Sequence, residues 1–572
     1  MEKTFRTIRR IIADKQFEKL KSLELIKPEF FNWATDIFEG IHVSETPAAN
    51  ALIWTDGKVT LNFTFLQISQ ESNRVLNFLR NKGIQQTHVI LTQMSLQPLN
   101  WFSLMAAIKG GFRMIPAANI LGVQDIVYRF EKLMPEVVIA DAENASKIEE
   151  AENICGKKVL VKIIAEGHRE GWYTPADIAK EADHAAGAVT RADDPLFLFF
   201  TSGTTGMPKV AVHTHLSYPF GHLTTSSWIG LRQDDIHYNI SQPGWAKFAW
   251  SSFFAPWNIG ASIFAFHQKD RFNAGETLQL MEKHQITTFC APPTVLRMLI
   301  QEDLKSYHFS LRSCVAAGEP LNPEVIETWR NGTGILIRDG FGQTESTCLV
   351  ANLPDMEVKF GSMGKPAFLY DVVIADEHGL ELPVGEEGNI CVKMDTGRPN
   401  GIFKDYFGNP EKRKEVFKHG LYYTGDKAYQ DEDGYIWFVG RDDDVIKSSD
   451  YRIGPFEVES VLLEHEAVLE SAVVGSPHEL KGLEVKAFVI LNAGYKPEGV
   501  LADELFSYSR DRLSPYKMPR IIEFVTELPK TISGKIRRME LRKVEAEHKG
   551  QGIVMEQEYF YIRKNKPGSF NG

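Results

Sequence analysis

Nine residues at positions 201–209, Thr201-Ser202-Gly203-Thr204-Thr205-Gly206-Met207-Pro208-Lys209, combine two glycines, four hydroxyls and one lysine, with no acidic side chain. Glycines let successive backbone N–H groups turn inward as an anion-binding nest. The hydroxyls add neutral donors and Lys209 adds a point charge, so the stretch suits a polyphosphate. It is not a Walker A loop, which needs a lysine followed by Ser or Thr on the way from a strand into a helix. Here valine follows Lys209.

The flanking residues place this loop between two strands. Leu196-Phe197-Leu198-Phe199-Phe200 is an apolar run, and Val210-Ala211-Val212-His213-Thr214 is β-branched at alternate positions. Upstream, the pattern predicts strands at 88–91, 113–116 and 137–140 and helices at 101–109 and 126–134. Such alternation implies parallel sheets with helices on their faces. Surface helices and loops are expected over 142–190. Downstream, helices are predicted at 215–227, 275–284 and 294–304, and strands at 286–290, 314–317 and 335–338. Two of these strands run into polar, Gly-rich loops, Gly318-Glu319-Pro320 and Asp339-Gly340-Phe341-Gly342-Gln343-Thr344-Glu345. Ligands gather at the carboxyl ends of strands in open α/β sheets, so these loops and the 201–209 loop are expected to converge.

Residues 360–439 alternate short strands with turns and read as a β-rich subdomain. A charged break at 441–444 follows. Beyond it, helices at 456–465 and 503–513, strands at 470–475, 484–491 and 521–525, and a basic last helix form an α+β unit. The expected fold is α/β: a large N-terminal domain, 1–439, of stacked sheets plus the subdomain, and a small C-terminal domain, 440–572.

Composition narrows the functional classes. At 572 residues the chain is too long for one core. With 64 Lys+Arg against 75 Asp+Glu, its net charge of −11 gives no footprint for nucleic acid. The five cysteines are scattered without a C-x-x-C, which argues against a disulfide frame or a zinc site. No apolar run reaches the ~18 residues of a membrane span. The first residues show no signal-peptide core. A cytoplasmic protein is expected.

The pattern at 201–209 resembles the phosphate loop of the adenylate-forming superfamily of acyl-CoA synthetases, luciferases and peptide-synthetase adenylation domains. Further motifs appear in that superfamily's order from about residue 50 to 545. Tyr451-Arg452-Ile453-Gly454-Pro455-Phe456-Glu457-Val458-Glu459 and Cys290-Ala291-Pro292-Pro293-Thr294 bring the chain nearest to the medium-chain acyl-CoA synthetase branch. The resemblance implies ATP and Mg²⁺, with Thr344 on the α-phosphate and Glu345 on the metal, a hard oxygen donor of the usual kind. It implies adenine contacts at Gly318, Glu319, Pro320, Asp339, Gly340 and Phe341, with Gln343 beside them. In Tyr423-Thr424-Gly425-Asp426, the aspartate corresponds to the residue that takes both ribose hydroxyls, with Arg441 beside it. Arg452 is a further nucleotide contact. Asp443 matches the hinge, within 441–443, about which the small domain swings. Pro529-Lys530-Thr531-Ile532-Ser533-Gly534-Lys535 makes Lys535 the catalytic lysine, set against the charge that builds as carboxylate attacks the α-phosphate. Lys530, Arg537 and Arg538 beside it are expected to face water or coenzyme A phosphates.

The same resemblance places the acyl pocket at Trp245, Lys247, Trp250, Cys290 and Gly342. Relatives confined to acetate carry tryptophan at the position of Gly342, so glycine predicts an open tunnel and a longer acid. Ser448, Ser449, Asp450 and Tyr451 correspond to the coenzyme A channel, where Asp450 replaces a family glycine. The expected function is an AMP-forming acid:CoA ligase acting on a short-to-medium-chain fatty acid, straight or branched, with a medium-chain synthetase as the nearest type. An adenylate-forming enzyme with another acceptor, a carrier protein or a luciferase-like reaction, is the alternative. No carrier attachment site follows residue 545. The expected partners are the acid, ATP and coenzyme A, and a homodimer is compatible with the sequence.

Overall fold

The structure, a computed structural model, describes the chain except for residues 202–207, 269–271, 320, 395–396, 398–399, 449–450, 479–480, 531–534 and 562–572. Its packing divides into two compact units. One comprises Met1–Val373, Cys391–Thr424 and Asp433–Ile436; the other comprises Ile374–Ile390, Gly425–Glu432 and Trp437–Gly572. The expected domain limit at 439/440 lies just inside the last of these stretches. Each unit is described separately.

In the first unit, one sheet runs in the order Asp405–Tyr406, Lys209–Thr214, Pro195–Thr201, Arg113–Pro116, Val89–Gln93, Val137–Ala140, Val161–Ile164. From Pro195–Thr201 onward its strands are parallel, while Lys209–Thr214 and Asp405–Tyr406 are antiparallel additions. Strand Val161–Ile164 stands where only helix and loop were expected. A second set of strands runs Ser362–Pro366, Cys348–Ala351, Ile337–Gly342, Ser313–Ala316, Thr288–Ala291, Ile236–Asn239, Ser262–Phe266, Asn50–Thr55, Thr60–Thr64. It is parallel from Ile337–Gly342 to Asn50–Thr55. The carboxyl ends of Ser313–Ala316 and Ile337–Gly342 therefore point the same way and lie side by side.

Helix Ser217–Ile229 is buried along its whole length and packs against strands of both sheets. Buried on all faces, it carries no amphipathic stripe. Its Tyr218, His222 and Trp228 are fully enclosed. Apolar side chains such as Leu91, Ile115, Val138 and Leu198 fill one face of the first sheet, and Phe264, Phe289, Leu296 and Trp329 fill a face of the second. These two layers hold the loops at the strand ends in place.

The second unit contains a sheet ordered Tyr451–Ile453, Ile446–Ser448, Gly482–Leu491, Ile521–Phe524, Glu558–Phe560, with Val468–His478 forming a long hairpin on Gly482–Leu491. Helices Pro455–Leu463 and Gly499–Arg512 cover it through Val458, Leu462, Leu505 and Phe506. Helix Arg538–Gln551 packs on strand Val468–His478. Among the described residues no helix is long and apolar enough to cross a membrane.

Candidate active site

The strands on either side of the 201–209 stretch, Pro195–Thr201 and Lys209–Thr214, pair antiparallel. Thr201 and Lys209 are Cα partners at its base. Ser202, Gly203, Thr204, Thr205 and Gly206 lie outside the described residues. One neighbouring segment, residues 405–407, holds this base. Phe407 N–H donates to Val210 O at 2.8 Å, and the two-residue strand Asp405–Tyr406 pairs with Val212 and Ala211. The same segment reaches the acidic motif: Tyr406 Oη donates to Glu345 Oε1 at 2.9 Å and Phe403 N–H to Glu345 O at 2.8 Å. Thr201 Oγ1 approaches the same carboxylate oxygen at 3.4 Å. The hairpin and the Thr344-Glu345 pair, 143 residues apart from Thr201 to Thr344 in sequence, thus meet as expected.

His213 ties the two elements from below. It is fully buried, with Nε2 at 2.7 Å from Thr344 O and Nδ1 at 3.2 Å from Ser217 Oγ. A carbonyl oxygen only accepts, so Nε2 carries the proton. Ser217 Oγ accepts the Thr214 N–H at 2.9 Å, leaving its own hydroxyl proton for Nδ1. Burial lowers the His213 pKa to about 3, outweighing the opposing Thr344 carbonyl bond. The ring is therefore neutral at physiological pH, which this bonding pattern requires.

Lys209 is half-buried with its ammonium 5.9 Å from the Tyr406 ring centre. Burial first, then the Lys412 ammonium, push its pKa down, while Glu345 acts the other way. A cation so placed gains from a bound anion. Sequence reading missed His213, Ser217, Tyr406 and Lys412. Only His213 left a signal, a polar ring within an otherwise apolar strand that needed buried partners.

The adenine candidates lie on the neighbouring strand ends. Strand Ile337–Gly342 runs through Asp339, Gly340, Phe341 and Gly342, so these residues are part of the strand and not of a loop after it. Pairing with Cys348–Ala351 extends it, with an irregularity between Phe341 and Gly342. Asp339 is buried, and that burial raises its pKa to about 8 despite the Gly340 N–H bond at 2.9 Å and the Lys247 charge. Gly318 adopts φ +107°, a conformation that favours glycine, with open space around its Cβ position. The Glu319 carboxylate takes the Thr294 hydroxyl at 3.3 Å and lies 3.6 Å from Arg297. Pro320 lies outside the described residues. Gln343 spends its side chain on strand Leu421–Gln430, donating to Thr424 O and accepting from Tyr422 Oη, both at 2.9 Å.

Among the acyl candidates, Gly342 is closely packed: a Cβ built there would meet the Trp250 ring and the Thr347 carbonyl. Trp250 comes from the short helical segment after Gly244 and is itself buried. The side chain packed against Gly342 is thus a tryptophan from another element. Lys247 Nζ donates to Ala317 O at 2.9 Å, so its ammonium turns toward the Gly318 strand end. Trp245 is half-buried against the core of the first sheet, and Cys290 is buried in Thr288–Ala291 opposite Asn239 and Val315.

The remaining candidates lie in the second unit. Asp426 is buried in Leu421–Gln430. Arg441, at the end of strand Ile436–Arg441, is exposed and lies 3.6 Å from Asp443. Arg452 is exposed and lines a cavity with Lys427 and Glu387. Ser448 is buried opposite Tyr451, whose exposed ring stacks on Tyr516 with centroids 4.3 Å apart. Ser449 and Asp450 lie outside the described residues. Lys535 is exposed, just before Ile536, whose bridge to Lys530 closes the loop between them. Its neighbours, expected to face water or coenzyme A phosphates, are each paired with a carboxylate. Lys530 pairs with Glu470 at 2.8 Å, Arg537 with Glu540 at 2.7 Å and Arg538 with Glu459 at 2.7 Å.

Glu345 fits a divalent cation. Among the described residues its hydrogen bonds from Tyr406 and Thr201 both fall on Oε1, leaving Oε2 to a further partner, and the carboxylate is only half-buried. A hard carboxylate oxygen beside a phosphate loop is an ordinary Mg²⁺ environment.

Comparison with known proteins accords with this arrangement. Residues 41–407 match the family described as AMP-binding enzyme, and residues 457–535 match the AMP-binding enzyme C-terminal domain. The chain is 48% identical to 4-hydroxybutyrate--CoA ligase 1 of Metallosphaera sedula, with 93% of each chain covered. It is 41% identical to the mitochondrial acyl-coenzyme A synthetase ACSM3 of Mus musculus, with 91% of each covered. The crystal structure of the anthranilate CoA ligase AuaEII in complex with anthranoyl-AMP superposes with a TM-score of 0.82 at 30% identity, over 91% of this chain and 98% of that one. With the phosphate hairpin, the Thr-Glu motif and both domain matches in place, the chain belongs to the AMP-binding enzyme family, among its AMP-forming acid:CoA ligases.

Proposed function

We propose that this ligase activates a short aliphatic acid, from the short end of the short-to-medium range, including acids that carry a terminal hydroxyl. The observation behind this reading is Trp250 packed against Gly342, which shortens the space that glycine alone would have opened. An indole fills a large part of such a pocket. The 4-hydroxybutyrate ligase activity named for the M. sedula relative supports it. A medium-chain acid is the less favoured member of the range.

In this reading Lys209 and the hairpin tip hold the outer phosphates of ATP and Thr344 holds the α-phosphate. Glu345 would hold Mg²⁺, which neutralises phosphate charge when bound. Gly318, Glu319 and the strand Ile337–Gly342 receive the adenine, and Asp426 with Arg441 takes the ribose. The acid carboxylate attacks the α-phosphorus and pyrophosphate leaves, giving acyl-AMP. Lys535 stabilises the charge at the attacked phosphorus. Residues 440–572 then turn about Asp443, and coenzyme A, led by Ser448–Tyr451, displaces AMP. A cytoplasmic setting belongs to the same reading.

Trp250→Ala tests the acyl assignment. The variant is expected to raise kcat/KM for octanoate about tenfold relative to butyrate, the scale expected when a hydrophobic pocket gains room. An unchanged ranking of acids, with activity lowered for all of them, would count against it.

A further inference from the structure

Three consecutive aspartates, Asp442, Asp443 and Asp444, are anchored in three directions. Asp442 pairs with Lys427 at 2.9 Å, and its N–H donates to Gly425 O at 3.0 Å, so it is tied to the strand that carries Asp426. Asp443 lies beside Arg441. Asp444 turns the other way: its carboxylate takes Arg542 at 2.5 Å and lies 3.9 Å from Arg538, with only 11% of its side chain exposed. Both arginines stand on the first turns of helix Arg538–Gln551, which begins three residues after Lys535.

That helix is held firmly elsewhere. Glu459, almost fully buried, receives Arg538 in a bidentate pair, Nη2 on Oε2 at 2.7 Å and Nε on Oε1 at 3.1 Å, and also accepts the Val473 N–H at 2.8 Å. Bidentate guanidinium–carboxylate pairs combine strength with a fixed orientation. Further along, Glu545 takes the Lys486 ammonium at 2.5 Å and the Ser476 hydroxyl at 2.6 Å, all buried. The helix is thus part of one body with the sheet, and Asp444 is where the chain leaving Asp443 enters it.

We infer that Asp444 and Arg542 form a clamp that makes rotation at Asp443 carry Lys535 without slack, so that Asp444 is a positioning residue for adenylation. The inference rests on the reading of Asp443 as pivot and Lys535 as adenylation lysine. With the clamp intact, each turn of the backbone at 443 is transmitted to the 538–551 helix and so to the lysine just before it. With the clamp released, the chain leaving 443 is no longer tied to the body that Glu459 and Glu545 hold together, that body lags the turn, and Lys535 reaches the α-phosphate in a spread of positions. Misplacement of about 1 Å at a reacting centre costs on the order of 10²-fold in rate.

The test uses the full-length enzyme with Asp444→Asn and, as an independent break of the same contact, Arg542→Gln. Each half-reaction is assayed separately: acid-dependent pyrophosphate release, and thioester formation from supplied butyryl-AMP and coenzyme A. The inference expects adenylation kcat to fall about thirtyfold with KM for ATP and acid within about twofold, and thioester formation to change less than about threefold. Asp444→Asn added to Lys535→Ala is expected to cost nothing further, because both act through one group. Equal loss in both half-reactions, or additive loss in the double variant, overturns the clamp. Failure of the underlying reading shows separately, as a Lys535→Ala single variant that still adenylates.

Discussion

Lys535→Ala is expected to lower acyl-adenylate formation about 10³-fold while leaving thioester formation from supplied acyl-AMP within about threefold of wild type. In the first half-reaction a carboxylate approaches an already anionic phosphate, and the pentavalent arrangement concentrates negative charge where no solvent can reorganise around it. A single preorganised cation there is worth about 4 kcal/mol, on the scale seen when one donor to a developing oxyanion is removed. The second half-reaction forms a thioester at a carbonyl and expels AMP, so it has no need of that cation. Lys535 is exposed, and its basic neighbours are consumed by Glu470, Glu540 and Glu459. The substitution therefore removes no core contact, and the neighbours are not positioned to replace it. Separate assays of pyrophosphate release and of acyl-AMP conversion decide the matter. A variant impaired equally in both would show that Lys535 serves the fold or the nucleotide in general.

Glu345→Gln is expected to lower adenylation by about 10²-fold and to raise the Mg²⁺ concentration for half-maximal rate about tenfold. The substitution is chosen for what it keeps. A carboxamide oxygen still accepts from Tyr406 Oη and Thr201 Oγ1, and the backbone carbonyl still receives Phe403 N–H. Charge is removed and architecture is not. Tyr406→Phe provides the complementary measurement: it removes the hydroxyl that orients the carboxylate and is expected to cost less than the loss of charge. Titration of Mg²⁺ at saturating ATP reads the effect. An unchanged Mg²⁺ dependence in Glu345→Gln would remove Glu345 from the metal assignment.

Much of this site was legible because its parts are short, local motifs at strand ends. The strand–loop–strand pattern around residues 201–209 follows from alternation in Val210–Thr214 and from the apolar run before it, and the hairpin register shows both. That the ends of Ser313–Ala316 and Ile337–Gly342 lie together followed from the parallel order of strands, since neighbouring parallel strands end on the same side. What escaped was long-range. Tyr406 sits on a strand of two residues, too short to leave a period, and meets Glu345 across 61 positions of sequence. His213 looked like one more residue of a buried strand, although a buried imidazole must find partners and here finds Thr344 O and Ser217 Oγ.

At the acyl candidates, Gly342 was read alone, as missing volume, and its packing neighbour Trp250 comes from a separate element that sequence spacing does not join to it. Likewise the pairing of Lys530 and Arg538 was not legible, because Glu470 and Glu459 lie 60 and 79 residues away on other elements of the second unit. The strand Ile337–Gly342 outran its expected end because antiparallel pairing with Cys348–Ala351 stabilises Asp339–Gly342 in an extended form that glycines alone disfavour.

The central claim, that this site adenylates a short acid and passes it to coenzyme A, is tested most directly by one assay. Pyrophosphate and AMP release are measured for acetate, butyrate, 4-hydroxybutyrate, octanoate and palmitate, with and without coenzyme A. The account predicts turnover that requires coenzyme A and is greatest for butyrate or its 4-hydroxy form. A single burst of pyrophosphate that coenzyme A cannot convert to turnover, or a clear maximum at palmitate, would contradict it.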